Sequence, residues 1–249
     1  MNREQRLKEK IDNAKSVDFG KVLEDTFTLF KKVWLTGFLL VIIISVISFG
    51  VSFLFQILGM NFMINDFTFD SFNDFFTVYS TQLIYNIPIS IITTFITFLL
   101  LAGFYKSCKE ADQDNHKTDF LFYFFKKEYL SKIILLSVVY VAISIVAQAL
   151  FLLPIIYAFI PLMYFIVLFA FNPDSSIGEI VELSFIFGTK KWFITFGSIF
   201  LMMIIAMFGI IACFVGLLFT ISLAYIPIYI IYKEAIGFDE VIEEVHNGN

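Results

Sequence analysis

DFGKVLEDTFTLFKKVWLTGFLLVIIISVISFGVSFLFQIL, from Asp18 to Leu58, joins two kinds of sequence without a break. The second part, Trp34 to Leu58, is apolar throughout, and about 20 mainly apolar residues are enough for a helix to cross a bilayer. The first part is amphipathic. Phe19, Val22, Leu23, Phe27, Phe30 and Trp34 recur at helical spacing, and Asp18, Lys21, Glu24, Asp25, Lys31 and Lys32 fill the other face. That pattern predicts an interfacial helix lying in the headgroup plane, with Trp34 at the aromatic belt, followed by a membrane span.

The rest of the chain repeats this alternation. Leu83 to Tyr105 supplies a second span. Lys132 to Phe171 and Phe193 to Tyr232 are apolar stretches of 40 residues each, and both begin and end beside polar sequence of the cytoplasmic type. One span cannot return to its own side, so each stretch reads as a hairpin of two helices. Pro154 with Pro161 marks the turn region of the first, and Gly209 to Gly216 that of the second. The expected fold is all-α: a polytopic transmembrane bundle of about six spans in three hairpins, with amphipathic interfacial helices on the cytoplasmic side.

Charge sets the orientation. The 17 Lys and Arg residues fall in zones at Arg3 to Lys32, Lys106 to Lys132, Lys190 to Lys191 and Lys233. Loops rich in Lys and Arg stay in the cytoplasm, so both ends of this multi-pass protein are expected on the cytoplasmic side. Composition agrees: 59% of residues are hydrophobic and 34 are Phe, against about 45–50% apolar residues in soluble domains. The net charge of -5 hides a division. Asp66, Asp70 and Asp74 belong to a predicted outer loop, and Asp239, Glu240, Glu243 and Glu244 to the tail, while the inner loops are basic and suit an anionic leaflet. Met1 to Lys15 lacks the apolar core of a cleavable signal peptide. Cys108, expected in an inner loop, and Cys213, expected in a span, form no metal-type cluster. No metal site and no cofactor is expected.

The leading unit returns along the chain. At an offset of 158, Gly20 meets Gly178, Glu24 meets Glu182, Thr26 meets Ser184, Phe27 meets Phe185, Lys32 meets Lys190 and Trp34 meets Trp192. A weaker copy at an offset of 95 pairs Phe27 with Phe122, Phe30 with Phe125, Lys31 with Lys126, Lys32 with Lys127 and Trp34 with Tyr129. Ser176 and Glu179 carry the spacing of a capping box. One membrane domain, 1–249, then contains an N-terminal segment (1–16), three repeats (17–105, 106–171 and 172–233) and a tail (234–249). The repeats all face the same way, unlike inverted transporter repeats.

Short motifs in these units resemble a bacterial six-span group that includes the membrane domain of glycerophosphoryl diester phosphodiesterases and related uncharacterised membrane proteins. They are Asp18-Phe19-Gly20 with Phe27, Phe30 and Trp34; Leu101-Ala102-Gly103-Phe104-Tyr105 followed by Asp119-Phe120-Leu121; Ile177-Gly178-Glu179 leading to Ser184 and Trp192; and Tyr232-Lys233. The resemblance implies an inner-membrane helical domain. The soluble phosphodiesterase barrel is not in this sequence, so that activity does not carry over.

Ionisable residues inside a span are the usual mark of a pump or carrier, and the predicted spans have them only near their ends. Gln56, Asn86, Gln148 and the run Thr93, Thr94, Thr97 either line a small polar cavity, or hydrogen-bond between helices or lie near the interface, the second being the simpler reading. Pro88, Pro154, Pro161 and Pro227 are candidate kinks. Ala212 with Gly216, and Ser48 with Ser52, have the spacing of close helix contacts. Asp66, Asp70 and Asp74 would share one face of an outer helix, beside a stripe of Phe69, Phe72 and Phe76. Lys31, Lys32, Lys126, Lys127, Lys190 and Lys191 are candidate contacts for lipid headgroups or a partner, and Trp34, Tyr129 and Trp192 are candidate interface anchors. His116 and His246 read as solvated. The expected partners are the bilayer, anionic lipids, and a membrane protein or second copy; nucleic acid is not expected. The functional expectation is a non-enzymatic membrane scaffold, accessory subunit or envelope-homeostasis factor. The alternatives are a carrier of lipids or small amphiphiles and, more weakly supported, a lipid-modifying enzyme.

Overall fold

The computed structural model describes residues 3–59, 71–115, 120–150, 152–209 and 215–238, and all of their regular structure is helical. The helices are α1 (Arg3–Asp12), α2 (Phe19–Ile57), α3 (Phe72–Tyr85), α4 (Ile87–Asp112), α5 (Lys127–Ala149), α6 (Leu152–Phe171), α7 (Ile177–Lys190), α8 (Trp192–Met207), α9 (Val215–Thr220) and α10 (Ile226–Ile236), with 3-10 turns at Tyr123–Phe125 and Ile221–Ala224. Five segments are long and apolar enough to cross a membrane: α2, α4, α5, α6 and Gly216–Ile236. A sixth exists only if α7 and α8, bent by 80° at Lys191, are taken together. Their apolar faces are widely exposed, through Phe49, Phe53 and Ile57 on α2 and Phe193, Phe200 and Met207 on α8. A water-soluble surface rarely gathers such residues; this is a membrane-embedded helical protein.

Local chemistry explains most boundaries. The Asp18 carboxylate accepts from the Lys21 N–H at 2.8 Å and starts α2. No Pro interrupts the helix as amphipathic sequence becomes apolar, and Gly37 at the junction is packed against Ser222 and Phe104; α2 runs unbroken for 39 residues. The separate interfacial helix expected before Trp34 is therefore continuous with the span. The Ser176 hydroxyl and Glu179 carboxylate form the reciprocal capping box that starts α7, as their spacing predicts. The middle copy of the leading unit is reduced to the 3-10 turn at Tyr123–Phe125.

Three of the four candidate kink prolines stand at helix starts. Pro88 and Pro227 stand in the first turns of α4 and α10, and Pro154 in the first turn of α6. There the missing N–H costs nothing, because those amides have no helical partner. Only Pro161 lies inside a helix. Cys108 is likewise not in a loop: α4 continues to Asp112 and buries it completely. Cys213, Ala212, His116, His246, Asp66, Asp70, Phe69, Asp119 and the acidic tail from Asp239 lie outside the described residues.

Helix α6 is the centre of the molecule rather than a lipid-facing span. From Ile160 to Ala170 nearly every side chain is buried. Tyr140 and Phe98 reach it from α5 and α4, and Phe124 stacks near Phe169. Helix α7 turns back along α6, placing Phe187 edge-on to Tyr164 at 4.7 Å. Charged α1 flanks α7, burying Leu7 and Ile11 and leaving its polar face outward.

The motif around Gly103 gains a physical meaning. A Cβ there would lie 2.3 Å from the Leu121 carbonyl oxygen and 2.5 Å from that of Phe120. The two halves of the motif, Leu101–Tyr105 and Phe120–Leu121, therefore touch through backbone. Gly178, in the other motif, has open space around it. Gly103→Ala is expected to destabilise the detergent-solubilised protein by about 1–3 kcal/mol through overpacking. Gly178→Ala is expected to be neutral or to stabilise by up to about 1 kcal/mol. Thermal melts of the two variants check this pair.

Candidate functional site

Among the apolar helices, α4, α5 and α6 part to leave a cleft of about 330 Å³. Its polar lining comes from Ser90 and Thr94 on α4 and from Tyr140, Ser144 and Gln148 on α5, which recur every three to four residues and so share one helix face. Ile155, Phe159 and Leu162 of α6 close the other wall. Thr94 and Gln148 thus fulfil the cavity reading of the intramembrane polar residues. Ser90, Tyr140 and Ser144 were missed; their shared spacing with Thr94 and Gln148 was the available signal.

The hydroxyls of this lining differ from those of Thr93, Ser107 and Ser137 in the same helices. Thr93 donates to the Ile89 carbonyl at 2.9 Å, Ser107 to Gly103 at 3.0 Å and Ser137 to Ile133 at 2.7 Å, the usual way a helix satisfies Ser and Thr. Ser90, Thr94, Tyr140 and Ser144 form no side-chain hydrogen bond with another described residue. The Gln148 amide donates to Ser144 O at 3.2 Å, and the Tyr79 hydroxyl of α3 reaches Gln148 O at 3.2 Å. Of the remaining polar candidates, Asn86 joins α3 to α4 and bonds Gln82 O, Thr97 is half-buried, and Gln56 is exposed.

The basic candidates separate into two groups. Lys32 pairs with Asp114 at 2.6 Å and donates to Ala111 O at 3.2 Å, tying α2 to the end of α4. Lys190 pairs with Asp12 at 3.0 Å and donates to the Ile11 and Asp12 carbonyls, where a cation complements the C-terminal dipole of α1. Lys191 donates to Lys15 O. These three hold the protein together. Lys31, Lys126 and Lys127 remain exposed, Lys126 within 4.6 Å of the Tyr123 ring centre. Near them in charge, though on α1 and its following turn, Arg6, Lys10 and Lys15 with Glu9 and Asn13 border a second cavity of about 410 Å³ against Ala235 and Ile236. The Glu182 carboxylate, bonded to Lys8 at 2.6 Å, holds that ammonium above its ordinary pKa.

The other candidates are placed as follows. Trp34 is exposed beside Phe219. The Trp192 indole donates to Tyr157 O at 3.2 Å, and Tyr129 packs among Tyr123, Phe124 and Phe169. Asp74 sits in the first turn of α3 and accepts from the Ser71 hydroxyl at 2.8 Å. Among the described residues no group of His, Cys, Asp and Glu is arranged to hold a metal.

Comparison with protein-family models, with curated proteins and with solved structures gives no match. The geometry alone bears on function.

Removing the cation that caps α1 should loosen that helix. Lys190→Ala is expected to speed tryptic cleavage in the first fifteen residues several-fold. Lys31→Ala should leave the cleavage rate there unchanged. Timed limited proteolysis followed by peptide mapping reads both outcomes.

Proposed function

We propose that this chain is a non-enzymatic membrane scaffold or accessory subunit whose basic side rests on anionic lipid headgroups and holds a partner there. The observation that carries this reading is the division of labour among its lysines. Lys32 ties α2 to α4, and Lys190 and Lys191 tie the end of α7 to α1 and its following turn, while Lys31 on the amphipathic part of α2 and Lys126 and Lys127 at the start of α5 stay exposed. Each exposed lysine near an anionic surface contributes about 1 kcal/mol of attraction, so three fixed on a rigid body act together. In this reading the basic side is cytoplasmic, six passes result from counting α7 with α8 as one bent crossing, and the motif likeness to the glycerophosphoryl diester phosphodiesterase membrane domain reflects a shared inner-membrane platform.

A carrier of lipids or small amphiphiles is the second reading, and the cleft between α4, α5 and α6 favours it. The cleft is formed by the α5–α6 pair and the helix before it. A lipid-modifying enzyme has less support, since Asp74 is occupied in capping α3.

Gentle purification from native membranes followed by mass spectrometry tests the platform. A stoichiometric protein partner is the expected result. Replacing Lys31, Lys126 and Lys127 together with Ala should lower association with phosphatidylglycerol-containing nanodisc or vesicle surfaces by tenfold or more at low salt, with an unchanged melting temperature. Undiminished association, with the protein recovered alone, would argue against the platform.

A further inference from the structure

We infer that the cleft between α4, α5 and α6 is a binding site for one uncharged amphiphile whose polar end carries hydroxyl or ester groups, a diacylglycerol-like lipid. The inference is independent of the platform reading, which concerns the opposite, basic side.

Three observations carry it. First, the lining contains five hydrogen-bonding side chains and no charged one. A phosphate or ammonium buried there would have no counter-ion, and an unpaired charge away from water is costly. Second, the hydroxyls of Ser90, Thr94, Tyr140 and Ser144 are left open toward the cleft, whereas Thr93, Ser107 and Ser137 on the same helices turn back to their own carbonyls. Each open hydroxyl can both donate and accept, and the Gln148 amide adds donors and an acceptor. Such a set suits an alcohol beside ester carbonyls. Third, the mouth is apolar. Phe159 in the wall is itself exposed, and Val146, Leu150, Leu153 and Ile156 around it face outward. A ligand therefore arrives from the bilayer, not from water.

Size fixes what enters. A volume of about 330 Å³ lies at the small end of ligand sites, which span about 300–1,000 Å³. It holds a glycerol-sized polar end and the first part of the chains, and the rest of each chain leaves between α5 and α6 into lipid. Tyr140 marks the floor, because its ring is fixed edge-on to Phe98 at 5.1 Å and to Phe165 at 6.0 Å. Its hydroxyl can then be removed without disturbing the packing.

The test uses the full chain in nanodiscs with two photoreactive lipids that carry the same acyl diazirine, one a diacylglycerol and one a phosphatidylglycerol. Crosslinked peptides are mapped by mass spectrometry. The expected result is diacylglycerol labelling of residues 90–94, 140–148 and 155–162 at least fivefold above phosphatidylglycerol, with equal labelling by both lipids on the outer faces of α2 and α8. A variant combining Thr94→Val, Tyr140→Phe and Ser144→Ala should lose that preference and keep the labelling of α2 and α8. Equal labelling of the cleft by both lipids, or a cleft that neither labels above α2 and α8, would overturn the site, and both are read on the unaltered protein. So would a preference that survives the triple replacement in a variant of unchanged melting temperature.

Discussion

Gly188 and Pro161 approach so closely that one Cβ on Gly188 would sit 2.5 Å from the Pro161 Cα. This contact is backbone against backbone, and close approach of this kind needs a residue without a side chain. It presses α7 onto α6 at the one proline that lies inside a helix. Proline leaves the carbonyl four residues earlier without its helical donor. That carbonyl belongs to Tyr157, and the Trp192 indole donates to it at 3.2 Å. The Tyr157 hydroxyl in turn bonds Thr189 at 2.6 Å. The bend between α7 and α8 is thus anchored at the point where α6 is weakest.

Much else follows from that anchor. Because α7 lies on α6, its outer face needs a cover that tolerates water, and α1 supplies it. Leu7 and Ile11 face inward, while Lys8 and Asp12 pair with Glu182 and Lys190. Exposed ion pairs contribute little, typically about 0.2–1 kcal/mol, so the hold on α1 rests mainly on its two buried aliphatic side chains and on the Lys190 ammonium at its C-terminal carbonyls. With the later turns of α6 wrapped on one side by α7 and on the others by α4, α5 and α10, lipid is left to the outer faces of α2, α5 and α8 and to the first turns of α6.

The sequence showed the register of burial better than the path of the backbone. At the offset of 158, Val22 and Ile180, Thr26 and Ser184, Leu29 and Phe187, Val33 and Lys191, Gly37 and Thr195, and Leu40 and Ser198 are buried pair by pair. Side-chain pattern sets which face turns inward, and both copies obey it. It does not set whether the helix continues. Val33 keeps α2 straight, whereas Lys191 leaves the helical region at φ -107°, ψ 14° and turns its ammonium toward Lys15 O. That choice depends on α6 and on the first turn after α1, both far away in sequence. Charge likewise hid α1: the leading segment reads as polar, and the inward face made by Leu7 and Ile11 was missed although their spacing of four was an available sign.

The cleft was half legible for a related reason. Thr94 and Gln148 stood out as polar residues at depth, and composition finds such residues easily. Whether a hydroxyl turns to its own helix or away from it depends on what the neighbouring helix offers. Opposite Ser107 and Ser137 the interior is fully packed, so the carbonyl four residues back is the only acceptor within reach. Opposite Ser90, Thr94 and Ser144, α6 has only just begun after Leu150, and its first turns stand away from α4. The tight base formed by α4, α6 and α10 and the open cleft are therefore two ends of one arrangement. Helices drawn together by buried aromatics at one end diverge at the other, and Ser90, Thr94 and Ser144 lie at the diverging end.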